Sequence, residues 1–252
     1  MQPILYTAIF GNKDELIEDH RGVDDWRIIC FTDNANLRAD RTEVVRVPRI
    51  CKDPVRCARY YKLLPHEHLP SAPYSVWIDG NVRITSDHFA AQVDDWLGHA
   101  PMAVLDHPRR DCVYREAERV IELGKDHPGV VRQQIKAYRA MGVPEHLGLH
   151  TNSVVCRRHD DPEVQRLCNA WWDILVDYSR RDQLSMDVAR WLTGCSVTTI
   201  PFSKDPAPTW LTVTDHKIAA DFGTSASVLN RLAGRGRRIR QDVMRRLVRR
   251  QP

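Results

Sequence analysis

No run of apolar residues in this chain approaches the roughly 20 needed to span a bilayer, and no low-complexity tract or internal repeat occurs. The N-terminus lacks a basic stretch followed by a hydrophobic one, so no signal peptide is expected and Ile4 to Phe10 reads as a strand. No Cys-x-x-Cys pair is present. The 7 cysteines are scattered and odd in number, which argues against a disulfide framework or a zinc site and for reduced thiols in a cytosol. Phe10-Gly11-Asn12-Lys13 is too poor in glycine to wrap a phosphate, which counts against a sugar-phosphate nucleotidyltransferase. The arginines near the C-terminus have no aromatic residues among them, which counts against nucleic acid as a partner.

What is there is an ordinary globular composition over 252 residues, with 28% charged. That is enough chain to bury a substantial core in one large domain. No convincing linker precedes about Gly223, so one domain over 1–224 and a basic helical tail over 225–252 are expected. The net charge of +4 conceals an asymmetry. From Arg231 onward there are nine arginines against the single acid Asp242, leaving a mildly acidic body.

Short β-prone runs alternate with helical patterns. Ile4-Leu5-Tyr6-Thr7-Ala8-Ile9-Phe10, Trp26 to Phe31, Glu43 to Val47 and Tyr74 to Ile78 read as strands, the first ending at Gly11-Asn12. Asp53-Pro54 has the form of an N-cap followed by proline at the first helical position, opening a helix to about Leu64. Further helices are expected over Asp87 to Leu97, Asp111 to Leu123, Val130 to Met141, Asp161 to about Tyr178 and Gln183 to Leu192. Strands follow at Met102 to Leu105, Ser153 to Cys156 and Ser196 to Ile200, and Pro201 to Pro208 reads as an irregular loop. This alternation predicts an α/β fold with a mostly parallel central sheet.

Trp77-Ile78-Asp79-Gly80-Asn81 is the stretch around which the rest is organised. Ligands of open α/β sheets gather outside the carboxyl ends of strands. Asp79 and Asn81 supply hard oxygen ligands suited to Mg²⁺ or Mn²⁺ carrying phosphate; an ordinary Asp-Gly turn fits the same residues. Arg56, Arg59 and Lys62 recur every third residue, as a cationic wall for a diphosphate or as a solvated basic face. Asp111 and Glu116 follow another strand end, as a site or as a cap and a surface carboxylate. Asp182 and Gln183 open a helix. They read either as a cap or as a carboxylate and amide facing a reacting sugar. His216 is either structural or a late-arriving metal ligand.

Taken in order, several blocks resemble one family. They are Tyr6 to Asn12, Cys30-Phe31-Thr32-Asp33, Arg59 to His66, Trp77 to Asn81, His107-Pro108 with Arg110-Asp111-Cys112, Tyr114 with Glu116-Ala117, Gly148-Leu149, Arg157-Arg158-His159 and Arg181 to Ser185. The chain is similar to glycosyltransferase-like proteins once catalogued as a domain of unknown function, with plant mucilage- and pollen-tube-related members and bacterial relatives. The resemblance covers about residues 6 to 190.

That resemblance implies a glycosyltransferase A-type fold in which Asp79-Gly80-Asn81 stands at the place of an Asp-x-Asp-like metal motif. Asn81 replaces a second aspartate, a poorer cation ligand. Arg181-Asp182-Gln183 looks like the segment lining the donor sugar in related retaining families. The expected reaction moves a sugar from a nucleotide sugar, UDP-linked, to a hydroxyl of a glycan or lipid-linked acceptor, with Mn²⁺ or Mg²⁺ on Asp79 and Asn81; His216, beyond the matching blocks, is a further candidate ligand. Thr7, Ala8, Asn12 and Asp33 would hold base and ribose, while Arg59, Lys62 and Arg110 would approach the diphosphate. Asp182 would lie nearest the anomeric carbon, with Gln183 positioning and Glu116 the second candidate. A non-catalytic nucleotide-sugar or glycan-binding module of the same fold is the rival. In the tail, Ile239, Val243 and Leu247 recur at helical spacing among arginines. This fits a cytoplasmic protein held peripherally on an anionic membrane surface, or simply a solvated basic end.

Overall fold

The computed structural model of the protein describes residues 1–203 and 208–215. In chain order its elements are β1 (Ile4–Ile9), β2 (Arg27–Thr32), β3 (Glu43–Arg46), α1 (Pro54–Leu63), α2 (Pro65–His68), β4 (Ser75–Ile78), β5 (Val82–Ile84) and α3 (Phe89–His99). There follow β6 (Met102–Asp106), α4 (Val113–Glu122), α5 (Pro128–Met141), β7 (His150–Arg157), α6 (Pro162–Asp177), a 3-10 turn (Asp182–Leu184), α7 (Met186–Thr193), β8 (Thr198–Ile200) and β9 (Leu211–Val213). His216 and the basic tail lie outside the described residues.

Seven strands form one sheet in the order β3-β2-β1-β4-β7-β6-β8. β1, β2, β3 and β4 run parallel, as do β6 and β8, while β7 is antiparallel to both of its neighbours. The expected α/β fold is therefore present, with a mixed, mostly parallel sheet. β1 is buried at all six positions. Ile4, Tyr6 and Ala8 face one apolar layer and Leu5 the other. A strand covered on both faces reads as a continuous apolar run, which is why the sequence announces it.

Several boundaries differ from the sequence reading, each for a local reason. α5 starts at Pro128 because His127 caps it, its Nδ1 accepting from Gly129 N at 3.1 Å. His127-Pro128-Gly129 is thus a helix start, not a divider. The expected helix over Gln183 to Leu192 is split into the 3-10 turn and α7. β7 begins three residues earlier than expected, at His150, and its register against β6 shifts between Val104 and Leu105. β9 was not anticipated; it pairs with β5 in a separate two-stranded sheet.

α1 forms as its sequence dictates. Asp53 accepts from Val55 N at 2.9 Å, Pro54 takes the first helical position, and the helix stops before Pro65. Tyr61 stacks on Phe31 with ring centroids 4.4 Å apart, seating the helix on the sheet. The end of α1 is locked through the Lys62 carbonyl, which accepts from Arg157 Nη2 at 2.7 Å and from Tyr6 Oη at 3.2 Å. The 3-10 turn is pinned in the same way: Trp171 Nε1 donates to the Asp182 carbonyl at 3.0 Å, and Tyr138 Oη to that of Leu184 at 2.7 Å. Two segments distant in sequence are thereby fixed beside the ends of β1 and β4.

Candidate functional site

A cleft opens at the carboxyl edge of β1 and β4. Its walls are the end of β1 (Ala8, Ile9, Phe10), Lys13 and Asp14, one side of α1, Trp77, Asp79 and Gly80, the start of β7 (Thr151, Asn152, Ser153) and Arg181-Asp182-Gln183. Because β7 is antiparallel, its first residues reach the same edge as the last residues of β4. Asp79 N donates to the Ser153 carbonyl at 2.8 Å, joining the two.

Four charged side chains meet at the floor. Lys62 Nζ lies 2.6 Å from Asp182 Oδ2 and 3.1 Å from Asp79 Oδ1, bridging the two carboxylates. Arg59 Nη1 is 3.3 Å from Asp79 Oδ1, and its Nε is 3.2 Å from Asp182 Oδ2. Trp77 Nε1 donates to Asp79 Oδ1 at 2.8 Å, and its ring lies 5.3 Å from the Lys62 ammonium. Lys62 is wholly buried, Asp182 nearly so, and Asp79 keeps 24% of its side chain exposed toward the cleft. Asp79 is thus neither sealed in the interior nor turned away from open space.

Such a cluster is stable only because it is charge-balanced: burial of one unpaired ion costs several kcal/mol. Burial pushes the Asp79 carboxyl up, but Lys62 and Arg59 outweigh it and hold the group well below the usual carboxylate range. For Asp182, burial is again overcome by Arg59 and Lys62, and the shift is downward. Burial, with the neighbouring Arg59, draws the Lys62 ammonium down. The Asp182 and Asp79 carboxylates, at 2.6 and 3.1 Å, oppose that shift. Burial also lowers Lys13 at the cleft wall, with Arg59 adding to it.

The expected site residues divide into those the fold brings together and those it does not. Ala8, Arg59, Lys62, Asp79, Asp182 and Gln183 line the cleft. Asp182 is not a helix cap; the 3-10 turn has Arg181 at its cap position and no side-chain cap bond. Gln183 Oε1 accepts from Arg181 Nη2 at 3.2 Å. Arg56 leaves the expected cationic wall: it donates to the Leu175 carbonyl and, at 2.6 Å, to that of Tyr178, satisfying the end of α6. Glu116 and Arg110 form their own cluster, with Arg110 Nε 2.6 Å from Glu116 Oε2 and His107 beside them. Neither borders the cleft.

Asn12 and Asp33 do not line the cleft, and both are engaged in local bonds at the end of β1. Asp33 accepts from Gly11 N at 2.9 Å and pairs with Arg49, while Asn12 accepts from Asn34 at 3.0 Å. Gly11 and Asn12 are both left-handed, at φ 67° and 55°. A Cβ on Gly11 would stand 3.2 Å from Pro54, so this turn requires glycine. Thr7 is buried on the opposite side of β1 from Ala8 and does not border the cleft.

The residues present do not fit the expected divalent ion. Asp79 Oδ1 already accepts from Trp77, Lys62 and Arg59. Lys62 Nζ occupies the point between Asp79 and Asp182 where a bridging ion would sit, and the attraction of both carboxylates for a dication is offset charge for charge. Asn81 is turned aside, its Nδ2 donating to the Thr214 carbonyl at 2.6 Å. Among the described residues no three His, Cys, Asp or Glu side chains gather as an ion site.

Sequence reasoning missed Asn152 altogether. It is 2% exposed, borders the cleft, and neither atom of its amide has a partner. A buried polar group left unsatisfied costs about 1–3 kcal/mol, so both atoms of this amide are available to a cleft water or ligand. Lys13, Asp14 and Arg181 were likewise not assigned. Arg181 alone carried a signal, standing beside Asp182 in the matching block.

A mostly parallel sheet with a charged cleft outside its strand ends defines an α/β domain of the ligand-binding kind. Residues 7–201 match the family described as TOD1/MUCI70, glycosyltransferase-like domain, and the chain belongs to that family. It is 29% identical over 198 residues to "Probable hexosyltransferase MUCI70" of Arabidopsis thaliana, covering 73% of this chain and 32% of that protein. The chain therefore spans about a third of the length of that relative. Among solved structures it is similar to the apo form of the bifunctional glycosyltransferase WbbM (TM-score 0.47, 11% identity, 79% of this chain and 38% of that one). It is also similar to the galactosyltransferase LgtC in complex with donor and acceptor sugar analogs (TM-score 0.43, 12% identity, 80% and 73% covered).

Proposed function

We propose that this domain transfers a hexosyl group from a nucleotide sugar, UDP-linked, to a hydroxyl of a glycan or lipid-linked acceptor. The observation that carries the reading is the buried Arg59–Lys62–Asp79–Asp182 quartet opening on the cleft. Fixed cations next to a carboxylate suit a reaction in which a diphosphate gains charge as the sugar ring becomes cation-like. In this reading Lys13 and Arg181, at the cleft walls, draw in the diphosphate. Asp182 faces the anomeric carbon. Held ionised by two cations, it is a weak base and a strong stabiliser of positive charge. Asn152 and Gln183 take hydroxyls of the donor sugar with their amides. Family membership and the hexosyltransferase description of the plant relative support the same class of donor.

A thermal-shift screen of nucleotide sugars tests this directly. A donor at 100 times its Kd stabilises by about 2.7 kcal/mol, roughly 5–10 °C for a domain of this size. A shift with one UDP-hexose, accompanied by slow donor hydrolysis, is expected; no shift and no turnover with any nucleotide sugar would overturn the reading. The basic stretch from Arg231 would hold the enzyme at an anionic membrane, at about 1 kcal/mol per cation near the surface. Equal liposome partition of the full chain and one cut at Gly234 would remove that part.

A further inference from the structure

We propose that Lys62 and Arg59 stand in place of a divalent ion, so that the nucleotide diphosphate binds and the sugar departs without metal. The inference rests on the nucleotide-sugar reading above and deepens it. Lys62 is not a surface lysine that a ligand recruits. Its ammonium is immobilised by Asp182 at 2.6 Å, Asp79 at 3.1 Å and the Trp77 ring at 5.3 Å. Its own carbonyl is gripped by Arg157 and Tyr6. Arg59, three residues earlier on α1, adds a second fixed charge touching the same two carboxylates. A preorganised cation needs no reorganisation when charge develops beside it, which is the property a bound metal otherwise supplies.

The Lys62 ammonium already lies between the Asp79 and Asp182 carboxylates, 3.1 Å from one and 2.6 Å from the other. Asp79 Oδ1 carries three donors, and the Asn81 amide donates to Thr214 at 2.6 Å. The transfer balances without an ion. The anomeric C–O bond breaks and its electron pair passes to the diphosphate oxygen, facing Lys62 and Arg59. The acceptor hydroxyl oxygen forms the new bond to the anomeric carbon, and its proton goes to the departing diphosphate.

The test is calorimetric titration of the full chain with UDP, GDP, ADP and CDP, in EDTA and in Mn²⁺, with Mn²⁺ alone titrated in parallel and followed by EPR. The expected result is that one nucleotide binds with a Kd differing by less than about threefold between EDTA and Mn²⁺, and that Mn²⁺ alone shows no saturable site. Arg59→Gln should weaken that nucleotide about tenfold in EDTA, or about 1.4 kcal/mol. Binding at least tenfold tighter in Mn²⁺ would overturn the inference while leaving the nucleotide site standing. Binding of none of the four in either condition would overturn both.

Discussion

Lys62 Nζ lies 2.6 Å from Asp182 Oδ2, joining residues 120 positions apart in the chain. The bond ties α1 to the 3-10 turn across the mouth of the sheet, and it joins a cation to the carboxylate proposed to face the reacting sugar. Removal of the ammonium leaves two carboxylates buried beside one guanidinium. Lys62→Met should therefore cost about 3–5 kcal/mol of unfolding free energy. Asp182→Asn in the same chain should restore a large part. Urea denaturation of the single and double variants measures this, and a loss below about 1 kcal/mol for Lys62→Met would show that the network does not hold the fold.

Acid should weaken the protein through the same cluster. Asp79 and Asp182 both have folded-state values below the ordinary one, because Lys62 and Arg59 outweigh the effect of burial. A carboxyl with a depressed folded value contributes stability that is complete above its unfolded value, near 3.9, and drains away as pH falls toward the folded one. Urea midpoints should therefore change little through these groups between pH 7 and about 4.5 and fall below about pH 4. In a chain with Asp79→Asn and Asp182→Asn the decline below pH 4 should be shallower; an identical slope would remove these residues from the acid response.

Asn152 separates binding from stability. Its amide has no partner inside the protein, so Asn152→Ala removes an unsatisfied group and should cost less than about 1 kcal/mol in urea. Nucleotide-sugar affinity should nevertheless fall about tenfold, the equivalent of roughly one lost hydrogen bond to a hydroxyl. Unchanged affinity would take this residue out of the site.

Cys51 should be the first thiol to react. Its Sγ is 3.7 Å from that of Cys57. The hydrogen bond from Cys57, working against partial burial, brings Cys51 down to about 7, whereas burial lifts Cys30 to about 12. Limited iodoacetamide treatment at pH 7.5, read by peptide mass spectrometry, should modify Cys51 ahead of the other cysteines. Cys57→Ala should slow it. Preferential labelling of a buried cysteine would contradict this.

The fold was legible wherever burial was two-sided or capping was local. β1, β2 and β4 are apolar runs because both faces are covered, and Asp53-Pro54 and Asp161-Pro162 announce helices through their own backbone chemistry. Legibility ended where the deciding partner is remote. Arg56, Arg59 and Lys62 look alike in sequence, yet the first caps α6 while the other two enter the cleft. Their fates depend on residues more than 100 positions away. The polar start of β7 falls outside the strand expected from Ser153 because His150, Thr151 and Asn152 break the apolar pattern that Val154 and Val155 establish. Thr151 and Asn152 are polar where they line the cleft. β9 has only three residues and gains its order from β5.

The most direct test of the central claim is donor turnover by the Asp182→Asn variant beside the wild-type chain, using the nucleotide sugar that raises the melting temperature. With the charge gone but the shape kept, turnover should fall by about 10²- to 10³-fold, as when one group stabilising developing charge is removed, while nucleotide affinity changes by less than about tenfold. Turnover within about threefold of wild type would contradict the placement of this carboxylate beside the reacting carbon.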